Sequence, residues 1–416
     1  MRLTKSRSPS LQPNRTREES GPNGWGVLAV VVSVVLGVGT PAVAGAQVPA
    51  AAETQVVVHG QDSRPSYDWE LGEALLELGG LDAPVPSRFS NIVGVAVIGD
   101  SMLVVGDGAT SELRFFAMDS GDHRFTVGGE GQGPGEIEGL WDLFLSEKTL
   151  VAIDAASRTS RFGFDGELES TMPPPVSATG MRLQYSGFFG DGTVLTYAGE
   201  IPSLESGGST VSMARLVRLG PDGEPEFLLE YPWTEFTRSG SAPRPLHVAF
   251  GPVLDLAVFD DRFCAGYPTS YTIDCFTPSG QPLTRIVRED WASREVTQDD
   301  RELFRDGVEA FAGPGASTII ENQEFAGEYP AFGRLVAAQS GELWVGPFVP
   351  ERDRSQMRPT PHEPTTWSVY SPAGDWLAEV VLPERFDLMW VGADVLVGVI
   401  RDELDVERVA VLSLIP

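Results

Sequence analysis

Four histidines are the first side chains that could do chemistry: His59, His123, His247 and His362. No two stand at a metal-ligand spacing such as His-x-x-x-His. Only His247, in Leu246-His-Val-Ala-Phe250, falls in a stretch that reads as an inner strand, where a hydrogen-bonded structural imidazole is the plainer role. No Gly-x-Ser-x-Gly elbow and no Gly-Lys-Ser/Thr phosphate loop occurs. Acidic residues recur where an apolar strand ends: Asp107 in Gly106-Asp-Gly-Ala-Thr110, Asp154 in Ile153-Asp-Ala-Ala-Ser157, then Asp402, Glu403 and Asp405. Loops of this kind belong on one face. They give either a solvated acidic rim, or a divalent cation site or docking surface for a basic partner. Trp141, Trp291 and Trp344 are expected to pack within or between structural units.

The most distinctive string is Gly128-Gly-Glu-Gly-Gln-Gly-Pro-Gly-Glu-Ile137. No helix start follows it, and Pro134 and Glu136 stand where a dinucleotide loop requires glycine. Its two readings are a crowded crossover that needs glycine backbones and a ligand-contacting loop. In the second, Gly131, Gly133, Pro134, Gly135 and Glu136 would make the contacts, with Asp107 and Asp154 on the same face.

These residues must be positioned by strands, and the strands repeat. A short turn followed by an apolar strand occurs six times, aligned on Leu103, Leu150, Val194, Phe263, Leu343 and Leu396, at spacings of 47, 44, 69, 80 and 53 residues. The short spacings match about 40–50 residues for a four-stranded propeller blade. A second element, an aromatic or apolar strand closed by a Gly turn, follows one strand later. Its copies include Phe162-Gly-Phe-Asp-Gly166, Phe276-Thr-Pro-Ser-Gly280 and Tyr370-Ser-Pro-Ala-Gly374. The fold class is therefore all-β: a six-bladed β-propeller of four-stranded antiparallel blades over residues 67–416. The last copy lacks an outer strand, and Trp69–Leu78 is expected to supply it and close the ring.

The long spacings hold insertions. Residues 199–212 read as a polar loop, and residues 291–330 as a helical insertion. Thr297-Gln-Asp-Asp300 is a helix start; Leu303, Phe304, Val308 and Phe311 recur at helical spacing; Gly313-Pro314-Gly315 is a stop. The helix is expected on the propeller rim or as a lid over the central funnel. The only cysteines, Cys264 and Cys275, flank a Pro268–Tyr271 turn that would set them opposite each other, as a cross-strand disulfide or as two buried thiols.

Residues 1–46 read as a signal peptide: basic residues at 2, 5, 7, 15 and 17, an apolar run from Trp25 to Val38, and an Ala44-Gly45-Ala46 cleavage site. The alternative is retention as an anchor. Residues 47–66 are expected to be linker. Setting 1–46 aside leaves 25 basic against 57 acidic residues, a formal charge of −32. Such a chain repels nucleic acid and anionic membrane surfaces, so neither is an expected partner. An exported, periplasmic or extracellular monomer is expected.

Gly131-Gln-Gly-Pro-Gly-Glu-Ile137 resembles the Gly-x-Gly-Pro-Gly-Glu-Phe string of bacterial exported six-bladed propellers related to NHL-repeat and TolB-like proteins, with Ile137 in place of Phe. The resemblance spans roughly residues 67–416. It implies a propeller in a class that mixes binding scaffolds with a few lyases and hydrolases. Calcium-dependent hydrolases of similar fold use Asn, Asp and Glu around the channel, and after residue 46 this chain has only Asn91 and Asn322. The expected role is a binding or scaffold module for a protein, peptide or glycan on the loop face. The alternative is a metal-dependent lyase or hydrolase at the central channel. No cofactor is identified, and a divalent cation is possible.

Overall fold

The computed structural model describes residues 54–415, except 100, 147, 178–179, 221, 241, 313–315 and 351–359. The expected signal peptide and the Gly313–Gly315 helix stop lie outside the described residues. Two strands precede the repeats, β1 (Gln55–His59) and β2 (Glu70–Gly79). Blade 1 is β3 (Ile92–Ile98), β4 (Met102–Asp107), β5 (Glu112–Ala117) and β6 (His123–Gly128). Blade 2 is β7 (Leu140–Leu145), β8 (Thr149–Asp154), β9 (Thr159–Gly163) and β10 (Leu168–Met172). Blade 3 is β11 (Gln184–Phe188), β12 (Val194–Gly199), β13 (Ser209–Leu219), β14 (Pro225–Thr237) and β15 (Leu246–His247). Blade 4 is β16 (Asp255–Val258), β17 (Phe263–Gly266), β18 (Thr272–Phe276) and β19 (Pro282–Arg288). Helices α1 (Gln298–Ala312) and α2 (Ala316–Asn322) follow. Blade 5 is β20 (Arg334–Ala337), β21 (Leu343–Gly346), β22 (Thr365–Tyr370) and β23 (Trp376–Leu382). Blade 6 is β24 (Phe386–Val391), β25 (Val395–Arg401) and β26 (Glu407–Ile415), completed by β2.

The six expected second strands are the second strands of the six blades. Alternation between consecutive antiparallel strands sends every second-to-third-strand loop and every blade-to-blade crossover to one face, called here the loop face. Each junction between neighbouring blades is filled by its own apolar cluster. Between blades 1 and 2 it contains Val104, Phe115, Ile137, Leu143 and Phe162. Between blades 5 and 6 it contains Trp344, Trp367, Phe386 and Leu412. A blade buries both its faces only when its neighbours are present, which ties stability to ring closure. Inner strands approach closely at the axis: a Cβ on Gly94 would stand 2.8 Å from the Cβ of Leu143 in the next blade.

Strand β2 pairs antiparallel with β26, from Glu70 opposite Ile415 to Gly79 opposite Arg408, so the N-terminal part closes the last blade. The expected linker is different. Within it, β1 pairs in parallel with β19 and becomes a fifth, outermost strand of blade 4. Ser66 and Tyr67 then donate backbone hydrogen bonds to Trp376 and Leu377 of blade 5. Residues 55–79 thus run as a strap along the outer edges of blades 4, 5 and 6. The Val56-Val-Val58 stretch is a strand former whose outward residues Val56 and Val58 stay exposed. The expected polar loop at 199–212 is also shorter than read, because β13 begins at Ser209. Cys264 and Cys275 lie opposite each other in the β17–β18 register and form a disulfide.

Candidate functional site

The Gly-rich string forms the crossover from β6 to β7. Gly128, at φ 90°, turns the chain out of the blade, and a Cβ there would meet the Ser111 carbonyl oxygen at 2.7 Å. Glu136 folds back over the loop, and its Oε2 accepts the Gly133 N–H at 2.7 Å. A Cβ on Gly131 would stand 2.1 Å from that carboxylate oxygen, and one on Gly133 2.9 Å. These glycines therefore leave room for the Glu136 carboxylate folded over the loop. Ile137 N–H donates to the Gly129 carbonyl at 2.9 Å, while its side chain is buried in the junction of blades 1 and 2. Pro134 and Gly135 sit at the tip, with Pro134 exposed.

Asp107 and Asp154 close the second strands of blades 1 and 2, and they do the same thing. Asp107 Oδ1 accepts the Ala109 N–H at 3.0 Å, and its Oδ2 lies 3.1 Å from Arg114. Asp154 Oδ1 accepts Ala156 and Arg158 N–H groups at 2.9 and 2.8 Å, and its Oδ2 takes Arg158 Nε at 2.8 Å. They are 1 % and 3 % exposed. Burial pushes the Asp107 carboxyl above its ordinary range, against the pull of Arg114. Asp402 repeats the turn in blade 6, where N–H groups of Leu404 and Val406 hold its carboxyl below the usual value. The acids expected at a solvated rim are turn anchors at these three positions; Asp107 and Asp154 are internal, whereas Asp402 stays partly exposed and Glu403 and Asp405 are exposed, as a solvated rim would have them. The reason is chemical: a carboxylate at the end of a strand captures the N–H two residues on and shapes the turn around itself. Among the described residues no three His, Cys, Asp or Glu side chains converge to hold a metal ion.

The structure brings other residues together. The six inner strands line a central channel of about 410 Å³, to which Gly94, Asp142, Tyr185, Asp255, Arg334 and Met389 each come from a different blade. Pairing fixes their depth. Asp255 and Arg334 stand opposite Gly266 and Gly346 at the loop-face ends of their blades, and Asp142 opposite Ile153 one residue deeper. Leu145, Val258 and Ala337 occupy the other end. The channel is thus charged at the loop face and apolar at the far face.

Two further cavities continue it across the loop face. One of about 360 Å³ shares Asp255 and Arg334 with the channel and runs past Trp367 and Asp387. One of about 430 Å³ shares Pro347, Val349, Pro361 and Thr365 with the second and reaches Arg294, Asp300 and Tyr329 of the insertion. Arg334 donates to Asp387 Oδ1 at 2.5 Å, and Leu335 N–H donates to Asp255 Oδ2 at 2.5 Å.

The insertion forms one wall of this trench. Thr297 Oγ1 accepts the Asp300 N–H at 3.2 Å while Asp300 Oδ2 accepts the Thr297 N–H at 2.9 Å, so α1 starts with the expected reciprocal cap. Phe304 and Val308 pack with Phe250, Val296 and Tyr329 in a satellite core on the rim. Leu303 faces solvent.

His247 is not on an inner strand. It lies on β15, the outermost strand of blade 3, because the long β13–β14 hairpin pushes the inner strand of blade 4 on to Asp255. His362 lines the third cavity. Trp344 is fully buried, Trp291 packs partly buried beside the junction of blades 4 and 5, and Trp141 is 57 % exposed, contrary to its expected packing. The channel residues escaped the reading of the sequence. Their signal was a charged residue at or near the start of an inner strand, as in Leu140-Trp-Asp142 and Phe386-Asp387.

No family model matches the chain, and no curated protein matches it. Solved structures do. A member of the DUF4221 family from Bacteroides vulgatus is 11 % identical, covering 84 % of this chain and 99 % of its own, with a TM-score of 0.52. A protein described as exported, from Bacteroides fragilis, is 14 % identical over 87 % of this chain and 99 % of its own, with a TM-score of 0.49. Virginiamycin B lyase from Staphylococcus aureus is 12 % identical over 84 % of this chain and 100 % of its own, with a TM-score of 0.39. The first of these likenesses concerns the fold alone.

Proposed function

We propose that the protein is an exported binding module that takes an extended ligand, a peptide, a glycan or a segment of another protein, along the trench on its loop face. The observation that supports this reading is the continuity of three cavities through shared residues, from the channel mouth to the helical insertion. Concave sites with a few convergent polar groups are where ligands bind, and loops held by a rigid scaffold are where propellers can vary. The N-terminal run and cleavage pattern support export. The resemblance of the Gly131–Ile137 string to NHL-repeat and TolB-like propellers is consistent with this role.

The test is a screen of residues 47–416 against immobilised peptides and oligosaccharides, repeated with Val349→Trp, which fills the neck between the second and third cavities. A ligand should be retained by the wild type and lose about tenfold or more in affinity with the variant, at unchanged melting temperature. Val381→Ala, on an exposed residue of β23, should bind as the wild type. Retention of no ligand, or equal binding by Val349→Trp, would sink the proposal.

A further inference from the structure

Each blade ends in an outer strand, and five of the six ends are guarded against pairing with another chain. Strand β6 has Arg124, β10 has Glu169, β23 has Glu379, and β2 has Glu70, Glu73 and Glu77, all exposed. Blade 3 ends in β14, with Pro232 and exposed Glu226 and Glu230, and in the two residues of β15. Charges, prolines and very short strands all blunt an open edge. Strand β1, the outermost strand of blade 4, has none of these. It reads Gln55-Val-Val-Val-His59, and its pairing with β19 runs from end to end without a bulge. Residues Thr54 to Gln61 carry no Asp, Glu, Lys or Arg.

Residue alternation decides what that edge presents. The His59 carbonyl accepts the Glu289 N–H, so Gln55, Val57 and His59 turn their backbone groups toward β19. The N–H and C=O groups of Val56 and Val58 then face outward, and no strand among the described residues takes them. The side chains alternate as well. Val57 and His59 lie against blade 5: His59 Nε2–H donates to the Gly374 carbonyl at 2.9 Å, and Val57 Cγ2 stands 3.2 Å from the place a Cβ on Gly374 would take. Val56 and Val58 point to the other face, 56 % and 50 % exposed.

We infer that a second copy of the chain completes this edge, the two β1 strands pairing antiparallel about a twofold axis at Val57. That register fits the outward donors and acceptors. Val56 stands opposite Val58 of the partner subunit, and Val58 opposite Val56 of the partner subunit, so both pairs are of the kind that exchanges two hydrogen bonds. Residues directly opposed share a face, so the exposed valines cover one another. Gln55 meets His59 of the partner subunit, and no charge meets a like charge. A strand from another protein would have to bring a matching uncharged run, whereas a twofold contact needs only the patch itself. The contact is small beside the roughly 1,600 Å² of a standard interface. Each body also carries a formal charge of −32, so the dimer is weak and salt strengthens it.

Residues 51–416 form one compact unit, so the experiment uses residues 47–416. Sedimentation equilibrium in about 0.15 M sodium chloride, from about 1 to about 500 μM protein, should show monomer and dimer with a dissociation constant on the order of 100 μM, tightening about threefold at about 0.5 M salt. Two double variants at the exposed valines should melt as the wild type does. Val56→Lys with Val58→Lys sets like charges opposite each other and should weaken the dimer about tenfold or more. Val56→Lys with Val58→Glu sets opposite charges across the antiparallel register and should dimerise at least as well as the wild type. A wild type that stays monomeric throughout overturns the inference, and so does a dimer that the first variant leaves intact. Loss of the dimer in the second variant overturns the twofold register. All of these outcomes are read without a ligand and are independent of what the trench binds.

Discussion

At the scale of single residues, the acids that recur at strand ends shape turns before anything else. Asp107 is the clearest case, because its carboxyl titrates above its ordinary 3.8 through burial. A carboxyl whose folded-state value is raised binds its proton more readily folded than unfolded. It therefore adds stability as pH falls through the raised value and adds no more below about 3.8. The stability of the wild type relative to Asp107→Asn should rise between neutral pH and pH 4, read from urea unfolding at a series of pH values. A difference that stays flat, or falls, would remove the burial argument. The recurrence of these acids was legible in the sequence, but their fate was not. The string Gly106-Asp-Gly shows an acid after a strand. It does not show that the Ala109 N–H and Arg114 fold back to enclose it. The glycines of the crossover were legible as a string that is either a crowded crossover or a ligand-contacting loop, and spacing alone did not choose between them. What could not be read is that the space holds the carboxylate of Glu136.

At the scale of elements, the two N-terminal strands differ in what they complete. Strand β2 supplies the missing outer strand of blade 6, whereas β1 adds a fifth strand to a blade already complete. Deleting residues 47–60 should leave a cooperatively folding monomer, with a fall in melting temperature of a few degrees. Deleting residues 47–79 should abolish the cooperative transition and shift the protein to aggregates in size-exclusion chromatography, because the last blade then exposes a bare edge. Similar behaviour of the two truncations would contradict closure by β2. The six second strands, the Gly turns and closure by Trp69–Leu78 were all readable from periodicity. Strand β1 was not, since its partners Thr284–Arg288 lie in another blade and a parallel pairing leaves no turn signal between them. The inner strands were also hard to read. In blade 4 the four residues Asp255–Val258 follow a long hairpin, and nothing in so short a run distinguishes it from a loop.

At the scale of the whole molecule, residues 47–416 carry a formal charge of −32, spread over a fold whose blades must stay in register. Self-repulsion of that size opposes compaction, and salt screens it over about 10 Å at 0.1 M. Melting temperature should rise by several degrees between about 10 mM and 0.5 M sodium chloride, and EDTA should leave it unchanged, both measured by calorimetry. A large fall with EDTA would put the alternative, a metal-dependent lyase or hydrolase, ahead of the binding module. The strap along blades 4 to 6 also bears on time. Ser413 Oγ hydrogen-bonds the Glu73 carbonyl across 340 residues of chain. Strand β2 leaves the ribosome long before its partner β26 does. Pairings this distant in sequence make folding slow. Until β26 exists, β2 has no sheet to join, and the apolar residues Leu75, Leu76 and Leu78 that it carries are open to any other edge nearby. The feature that seals the finished molecule therefore also sets the length of its vulnerable period.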